Sequence, residues 1–163
     1  MDIFLTIEQE VVYEQVKIAS SYTGAKLEAN GSAYKHISAT DADIDTALGR
    51  FWNEAESEAT QLFKPFVKMI EHETSSPKDG SMKSAYVVTL TMPSNFDENL
   101  TGSMEVSLRS FFVESLTAAW FRYCNRGDVE KYEASAAAAL NDVRQKLYYR
   151  KKPARPTIVV AGS

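Results

Sequence analysis

The sequence lacks the features that define several large classes of protein. Its one cysteine, Cys124, cannot form a disulfide within the chain, and no CxxC motif or cysteine–histidine cluster indicates zinc. No apolar run approaches the roughly 18–20 residues that cross a bilayer, so no membrane-spanning segment and no partner within a membrane are expected. The N-terminus has no basic stretch followed by an apolar one, which argues against a signal peptide. These absences predict a soluble protein of the cytoplasm.

Residues that could carry catalysis or bind a metal do not form a recognisable group. The acidic run at residues 41–45 resembles the start of a calcium loop, but Thr46 and Trp52 stand where glycine and glutamate are required. Acidic residues at a helix N-terminus are the simpler interpretation. His72 lies between two glutamates without the HExxH spacing, and Cys124 is expected to be a buried structural thiol. We therefore expect no enzyme, no cofactor and no metal site.

Length and composition are those of a single globular domain. The chain has 163 residues, of which 44% are hydrophobic and 25% are charged. We divide it into a helical domain over residues 1–149 and an extended, basic, proline-containing arm over residues 150–163, called the C-terminal arm below.

Charge is distributed very unevenly along the chain. Residues 1–142 contain 12 basic and 22 acidic residues, a net charge of −10, whereas residues 143–163 contain six basic residues and no acidic one. A basic arm on an acidic body indicates a partner of negative potential. Nucleic acid, a membrane surface and the acidic body of another copy all satisfy this condition.

Two helices are predicted in the first half of the chain. The first covers residues 7–22, with Thr6 and Gln9 at capping-box spacing. Its apolar stripe contains Ile7, Val11, Ile18 and Tyr22 and is widened by Val12, Val16 and Ala19. The second begins at a Thr40 cap and continues with helical spacing to residue 70. Pro65 should kink this second helix or start a new segment.

One β-strand is predicted at about residues 85–92, where the apolar period changes from helical spacing to alternation. Its apolar positions are Tyr86, Val88, Leu90 and Met92. A lone strand leaves its backbone groups unpaired, and the only other good strand pattern is at residues 157–161. The two segments could pair with each other within the chain or with neighbouring subunits, and we expect contacts with another subunit more often.

The last third of the domain is predicted to be a long αα-hairpin. Apolar spacing indicates one helix over residues 100–123 and another over residues 129–147, joined by a short turn at Gly127, with Asp128 as a candidate cap. An aromatic face on the first helix, including Trp120, is expected to pack on an alanine-rich run of the second. The predicted fold class is therefore mainly α, a helical bundle built on this hairpin.

The C-terminal arm is the strongest candidate for partner binding. It combines aromatic, basic and β-branched side chains with two prolines that favour an extended backbone. The candidate contact residues are Tyr148, Tyr149, Arg150, Lys151, Lys152, Arg155, Ile158, Val159 and Val160. Such a segment is suited to lying along another protein or a phosphate backbone.

The order of these elements resembles that of the head–tail connector (adaptor, neck) proteins of tailed bacteriophages. The resemblance lies in residues 90–97 (Leu-Thr-Met-Pro-Ser-Asn-Phe-Asp), the helix over residues 100–123, and the passage from residues 130–132 to 147–153. It implies a mostly helical protomer that forms a homo-oligomeric ring beneath the portal protein. Such a ring would extend the channel through which DNA passes, without catalysis.

The resemblance also implies partners and a location. The expected partners are other copies of the chain, the phage portal and a downstream neck or tail-completion protein, with DNA in transient passage. The protein would be made in the bacterial host cytoplasm and reside in the virion neck. The alternative from another class is a free helical binding module or regulator whose basic arm contacts nucleic acid.

Overall fold

The computed structural model describes residues 1–26, 47–74, 84–124 and 127–155. Within these ranges the elements are, in chain order, β1 (Asp2–Glu8), α1 (Gln9–Lys26), α2 (Gly49–Phe63), β2 (Val67–Thr74), β3 (Ser84–Thr91), α3 (Leu100–Cys124) and α4 (Val129–Tyr148). The predicted mainly α class is confirmed. The single strand of the prediction is replaced by a small three-stranded antiparallel sheet.

The N-terminal segment differs from the helix predicted over residues 7–22. A strand comes first, and α1 begins at Gln9. Ile3, Leu5 and Ile7 are buried while their neighbours are exposed or half-buried, which is the period of two of a strand with one covered face. The capping-box spacing was misleading because strand pairing, not a helix cap, organises this stretch.

Helix α1 buries only part of the predicted apolar stripe. Val11, Ile18 and Tyr22 are 37%, 46% and 68% exposed, whereas Val12 and Val16 are fully buried. Val12 and Val16 lie one turn apart on the same side of the helix. Both sides of the stripe are apolar, so the sequence alone does not show which side is buried. The packing of α1 against α3 decides that the side with Val12 and Val16 faces the core.

The second predicted helix is correct only as far as Phe63. Pro65 lies in the turn that follows, where the Phe66 amide donates to the Phe63 carbonyl at 2.8 Å. Because proline has no amide hydrogen and crowds the carbonyl four residues earlier, the helix ends there. The chain continues as β2, so the predicted helical residues up to 70 are partly strand. The predicted Thr40 cap lies outside the described residues.

Strand β3 lies in the centre of the sheet, between β1 and β2. Both neighbours are antiparallel to it and come from the same chain. The prediction that this strand pairs between subunits is therefore wrong. The residues assigned to that contact are at most 2% exposed and face the core: Tyr86, Val88, Leu90 and Met92. The partner strand β1 was hidden by the helical interpretation of the N-terminus.

The αα-hairpin is confirmed, with α3 and α4 closely packed. The predicted core aromatics are buried, with Phe111, Phe112 and Trp120 at 1%, 0% and 8% exposure. In the alanine run only Ala136 is buried, so the contact face of α4 is narrower than predicted. Asp128 occupies the N-cap position of α4, but its side chain makes no capping hydrogen bond.

A series of contacting aromatic rings joins three helices to the sheet. Tyr13 of α1 meets Trp52 of α2 edge to face at 6.1 Å between centroids, and Trp52 meets Phe112 of α3 at 4.6 Å. Phe112 then contacts Tyr86 of β3 at 5.7 Å. Burial raises the pKa of Tyr13 to about 12, so its phenol stays protonated at neutral pH. These rings define the centre of the core.

Replacing Phe112 by alanine should lower the free energy of unfolding by about 3–5 kcal/mol, because the ring is fully buried and leaves a cavity. Phe4→Ala is the matched control, since the Phe4 ring is 62% exposed. It should cost about 1 kcal/mol or less. Urea denaturation followed by circular dichroism measures both. Equal losses for the two variants would show that the core is not centred on Phe112.

Candidate interaction surface at the base of the C-terminal arm

The C-terminal arm leaves the body where α4 ends. Tyr149 is extended (φ −64°, ψ 138°), and its amide donates to the Lys146 carbonyl at 3.2 Å. Residues 151–155 are exposed. We call residues 148–151 the arm base, because they contact the body and set the direction in which the chain departs.

Phe66 supports the arm base from the turn after α2. Its ring meets the Tyr148 ring edge to face at 5.4 Å, and the Arg150 guanidinium carbon lies 5.9 Å from its centroid. The Arg150 Nη1 donates to the carbonyls of Leu147 at 2.9 Å and Tyr149 at 2.8 Å. A cation placed there satisfies terminal carbonyls of α4 and complements the negative end of its dipole.

Lys151 holds the C-terminal arm against the body at the residue after Arg150. Its amide donates to the Asn95 carbonyl at 2.8 Å, and its Nζ lies 3.1 Å from Asp97 Oδ1. The Asn99 amide also donates to Asp97 Oδ1, at 3.2 Å. The hydrogen bond from Lys151, supported by Asn99, holds the pKa of Asp97 below its ordinary value of 3.8. The arm base is thus joined to the loop that precedes α3.

The same end of the molecule contains the ends of the sheet. The Met92 amide donates to the Met1 carbonyl at 2.7 Å, and Thr91 Oγ1 donates to Asp2 Oδ1 at 3.0 Å. Lys68 of β2 forms an ion pair with Asp2. Because β2 begins just after Phe66, the sheet end and the arm base are adjacent.

A cavity of about 290 Å³ lies beside the arm base, between α3 and α4. Asp97 and Asp142 line it, and each already has a lysine partner. Hydrogen bonds from Lys146 and from Ser107 hold the pKa of Asp142 below its ordinary value. These carboxylates therefore fasten the hairpin and the arm base, and as ionised, paired groups they are poor proton donors at neutral pH.

Some of the predicted arm residues contact the body, and others are exposed to solvent. Arg150 is half-buried and, with Tyr148 and Lys151, contacts the body. Tyr149 is 51% exposed, and Lys152 and Arg155 are exposed. The remaining predicted contact residues lie outside the described residues: Ile158, Val159 and Val160.

Sequence reasoning missed the three residues that receive the arm base: Phe66, Asn95 and Asp97. Phe66 was assigned to the buried stripe of a helix that in fact ends before it. Asn95 contributes its backbone carbonyl, which no side-chain pattern reveals. Asp97 precedes α3 by three residues, a position where an acid is usually explained by the helix dipole alone.

The structure describes two of the other candidates from the sequence. His72 lies in β2 instead of at a helix end. Cys124 is only half-buried. The acidic run at residues 41–45 lies outside the described residues. Within the parts of the chain that the structure describes, no three metal-binding side chains are grouped, and no helix has the length and apolarity to cross a membrane.

Replacing Lys151 by methionine should raise the pKa of Asp97 towards 3.8, because the main stabilising hydrogen bond is lost. In the wild type the lowered pKa means that the contact stabilises the fold above pH 3.8. This contribution is lost as the pH falls through the lowered value. Carbon-13 NMR titration of the carboxyl group measures the shift.

Lys152→Met is the control for this titration, since Lys152 is the adjacent exposed lysine. It should leave the Asp97 pKa at its wild-type value. If both substitutions leave that pKa unchanged, Lys151 does not anchor the arm base in solution.

Comparison with known proteins identifies no relative: no family model, no curated protein and no solved structure matches this chain.

Proposed function

We propose that the chain is a structural protein of a tailed bacteriophage, a head–tail connector or adaptor. In this role it forms a ring below the portal in the virion neck and extends the DNA channel. It works by association with other copies, with the portal above and with a neck or tail-completion protein below. No chemical step is required of it.

The observation that carries the proposal is the anchored, projecting arm. Tyr148, Arg150 and Lys151 hold the base against the body, while residues 152–155 are exposed beyond it. A segment fixed at its base pays less orientational entropy when its free part binds a neighbour. Anchoring at a defined point also gives every copy the same arm direction, which a repeating assembly requires.

The body is suited to packing as a rigid protomer in a ring. Helices α3 and α4 contain 25 and 20 residues, which at about 1.5 Å per residue gives rods of about 38 and 30 Å. They are joined by the Arg122–Glu133 ion pair, by the hydrogen bond from Lys146 to Ser107 and by the contact between the Phe121 and Tyr132 rings. A compact helical protomer of this kind matches what the sequence resemblance implies.

Charge supports association between copies. The first 142 residues have a net charge of −10 and the last 21 a net charge of +6. Attraction between the arm of one copy and the body of another is therefore favourable and weakens as salt shortens the Debye length below about 10 Å. The same exposed cations, Lys152 and Arg155, also favour the alternative, a binding module whose arm contacts nucleic acid.

Size-exclusion chromatography with light scattering, followed by electron microscopy, tests the proposal. The protein is measured alone and after co-expression with the portal protein of the same phage. We expect a closed ring in one or both preparations. A monomer in both, with salt-sensitive binding to a 30-base-pair DNA duplex, would contradict the connector and favour the nucleic-acid module.

Two truncations test the arm. Removal of residues 156–163 or of residues 151–163 should leave helical circular dichroism unchanged, because the described core contains no residue after Leu147. Both shortened chains should fail to join a ring or a portal. Unfolding of either would assign the arm to the core, and normal assembly of both would remove its connecting role.

A further inference from the structure

A groove of about 250 Å³ lies on the helical side of the molecule, between α2, α3 and α4. Phe51 and Phe111, at 5% and 1% exposure, form its apolar floor, and Ser115 and four alanines also line it. Its walls contain three carboxylates and one cation: Glu54 and Glu58 from α2, Glu133 from α4 and Arg122 from α3. We call it the α2–α4 groove.

The carboxylates on the α2 wall are incompletely neutralised. Glu133 pairs with Arg122 of α3. Glu54 lies 3.5 Å from Arg50, but both side chains are largely exposed. Glu58 has no cationic partner within 4 Å in the part of the chain that the structure describes. Glu54 and Glu58 are one turn apart, and like charges at this spacing repel, so a cation bound between them is favoured.

The chain contains a segment with the complementary chemistry. Lys152 and Arg155 are exposed on the C-terminal arm, and the residues that follow are β-branched and apolar, at 157–160. Cations followed by aliphatic side chains match a groove with acidic walls and an apolar floor. This match distinguishes the arm from an arbitrary apolar partner.

The groove and the arm base lie at opposite ends of the helical layer. Phe51, near the start of α2, lines the groove, whereas the arm base packs on Phe66, just beyond the end of α2. Along α4, the distance from Ala137 to Tyr149 is about 18 Å. Residues 152–163 reach about 40 Å when extended, enough to enter a neighbouring groove. A donor and an acceptor at opposite ends generate head-to-tail association, which closes into a ring or continues as a filament.

We propose that the α2–α4 groove receives the C-terminal arm of a second copy of this chain. The neighbour's Lys152 and Arg155 face the Glu54 and Glu58 carboxylates, and its apolar residues 158–160 lie on the groove floor. This inference rests on the proposed function and names the subunit contact by which the ring would form.

Charge-reversal variants of the full chain test the contact. E54K/E58K reverses the charge of the groove and leaves the arm unchanged. K152E/R155E reverses the charge of the arm and leaves the groove unchanged. Sedimentation velocity should show the wild type self-associating and each variant alone as a monomer. An equimolar mixture should associate again, because the unchanged arm of one variant matches the unchanged groove of the other and the reversed arm matches the reversed groove.

The matched control is E10K/E14K on α1. These two glutamates are also exposed and one turn apart, and Glu14 also has a cationic neighbour, Lys17 at 3.1 Å. This variant should associate like the wild type. The neutral pair E54Q/E58Q guards against misfolding of the reversed groove, and it should weaken association about tenfold, as expected for two partly exposed ion pairs.

The outcomes separate this contact from the connector role. If the wild type forms a ring and E54K/E58K also forms it, the groove contact is wrong and the connector proposal stands. If the mixture stays monomeric, the arm does not bind the groove of another copy, and the contact is overturned. If the mixture associates but the wild type forms only open chains, the contact stands and the ring, with the connector role, is wrong.

Discussion

The pairing of β3 on both of its edges is the interaction on which the rest of the structure depends. It joins the N-terminal strand β1 to a segment about 80 residues later, with Ile3 opposite Leu90 and Ile7 opposite Tyr86. Tyr86, on the covered face of β3, is the first of the contacting aromatic rings that lead through the helices to Tyr13. Without β1 and β2, β3 would leave backbone groups unsatisfied, and the helices would lose the surface on which they pack.

The position of the arm base follows from the same sheet. Pro65 ends α2, and the start of β2 places Phe66 at the sheet end, where it contacts Tyr148 and Arg150. The loop after β3 brings Asn95 and Asp97 to Lys151. The direction of the C-terminal arm is therefore a consequence of sheet pairing. The α2–α4 groove, in contrast, depends only on how the helices pack at the other end.

The prediction from sequence was wrong where the spacing of apolar residues fits both a helix and a strand. Residues 2–8 alternate as a strand, but the helical spacing that continues into α1 concealed this. Val67 and Ile70 have helical spacing with the residues before Pro65, yet they face the core from a strand, and the bulge between Val67 and Met69 makes this possible. A bulge shifts the alternation by one residue, so a bulged strand no longer shows the period of two.

The sequence by itself determined the hairpin of α3 and α4, the buried aromatics of α3, an interruption of helical structure at Pro65 and the asymmetry of charge. These depend on spacing and turn chemistry within a few residues, which the chain displays directly. Only the tertiary structure decided that β1 and β2 are strands, which face of α1 is buried, and where the arm base and the groove lie. Strand pairing and helix packing join residues far apart in sequence, so no local pattern determines their partners.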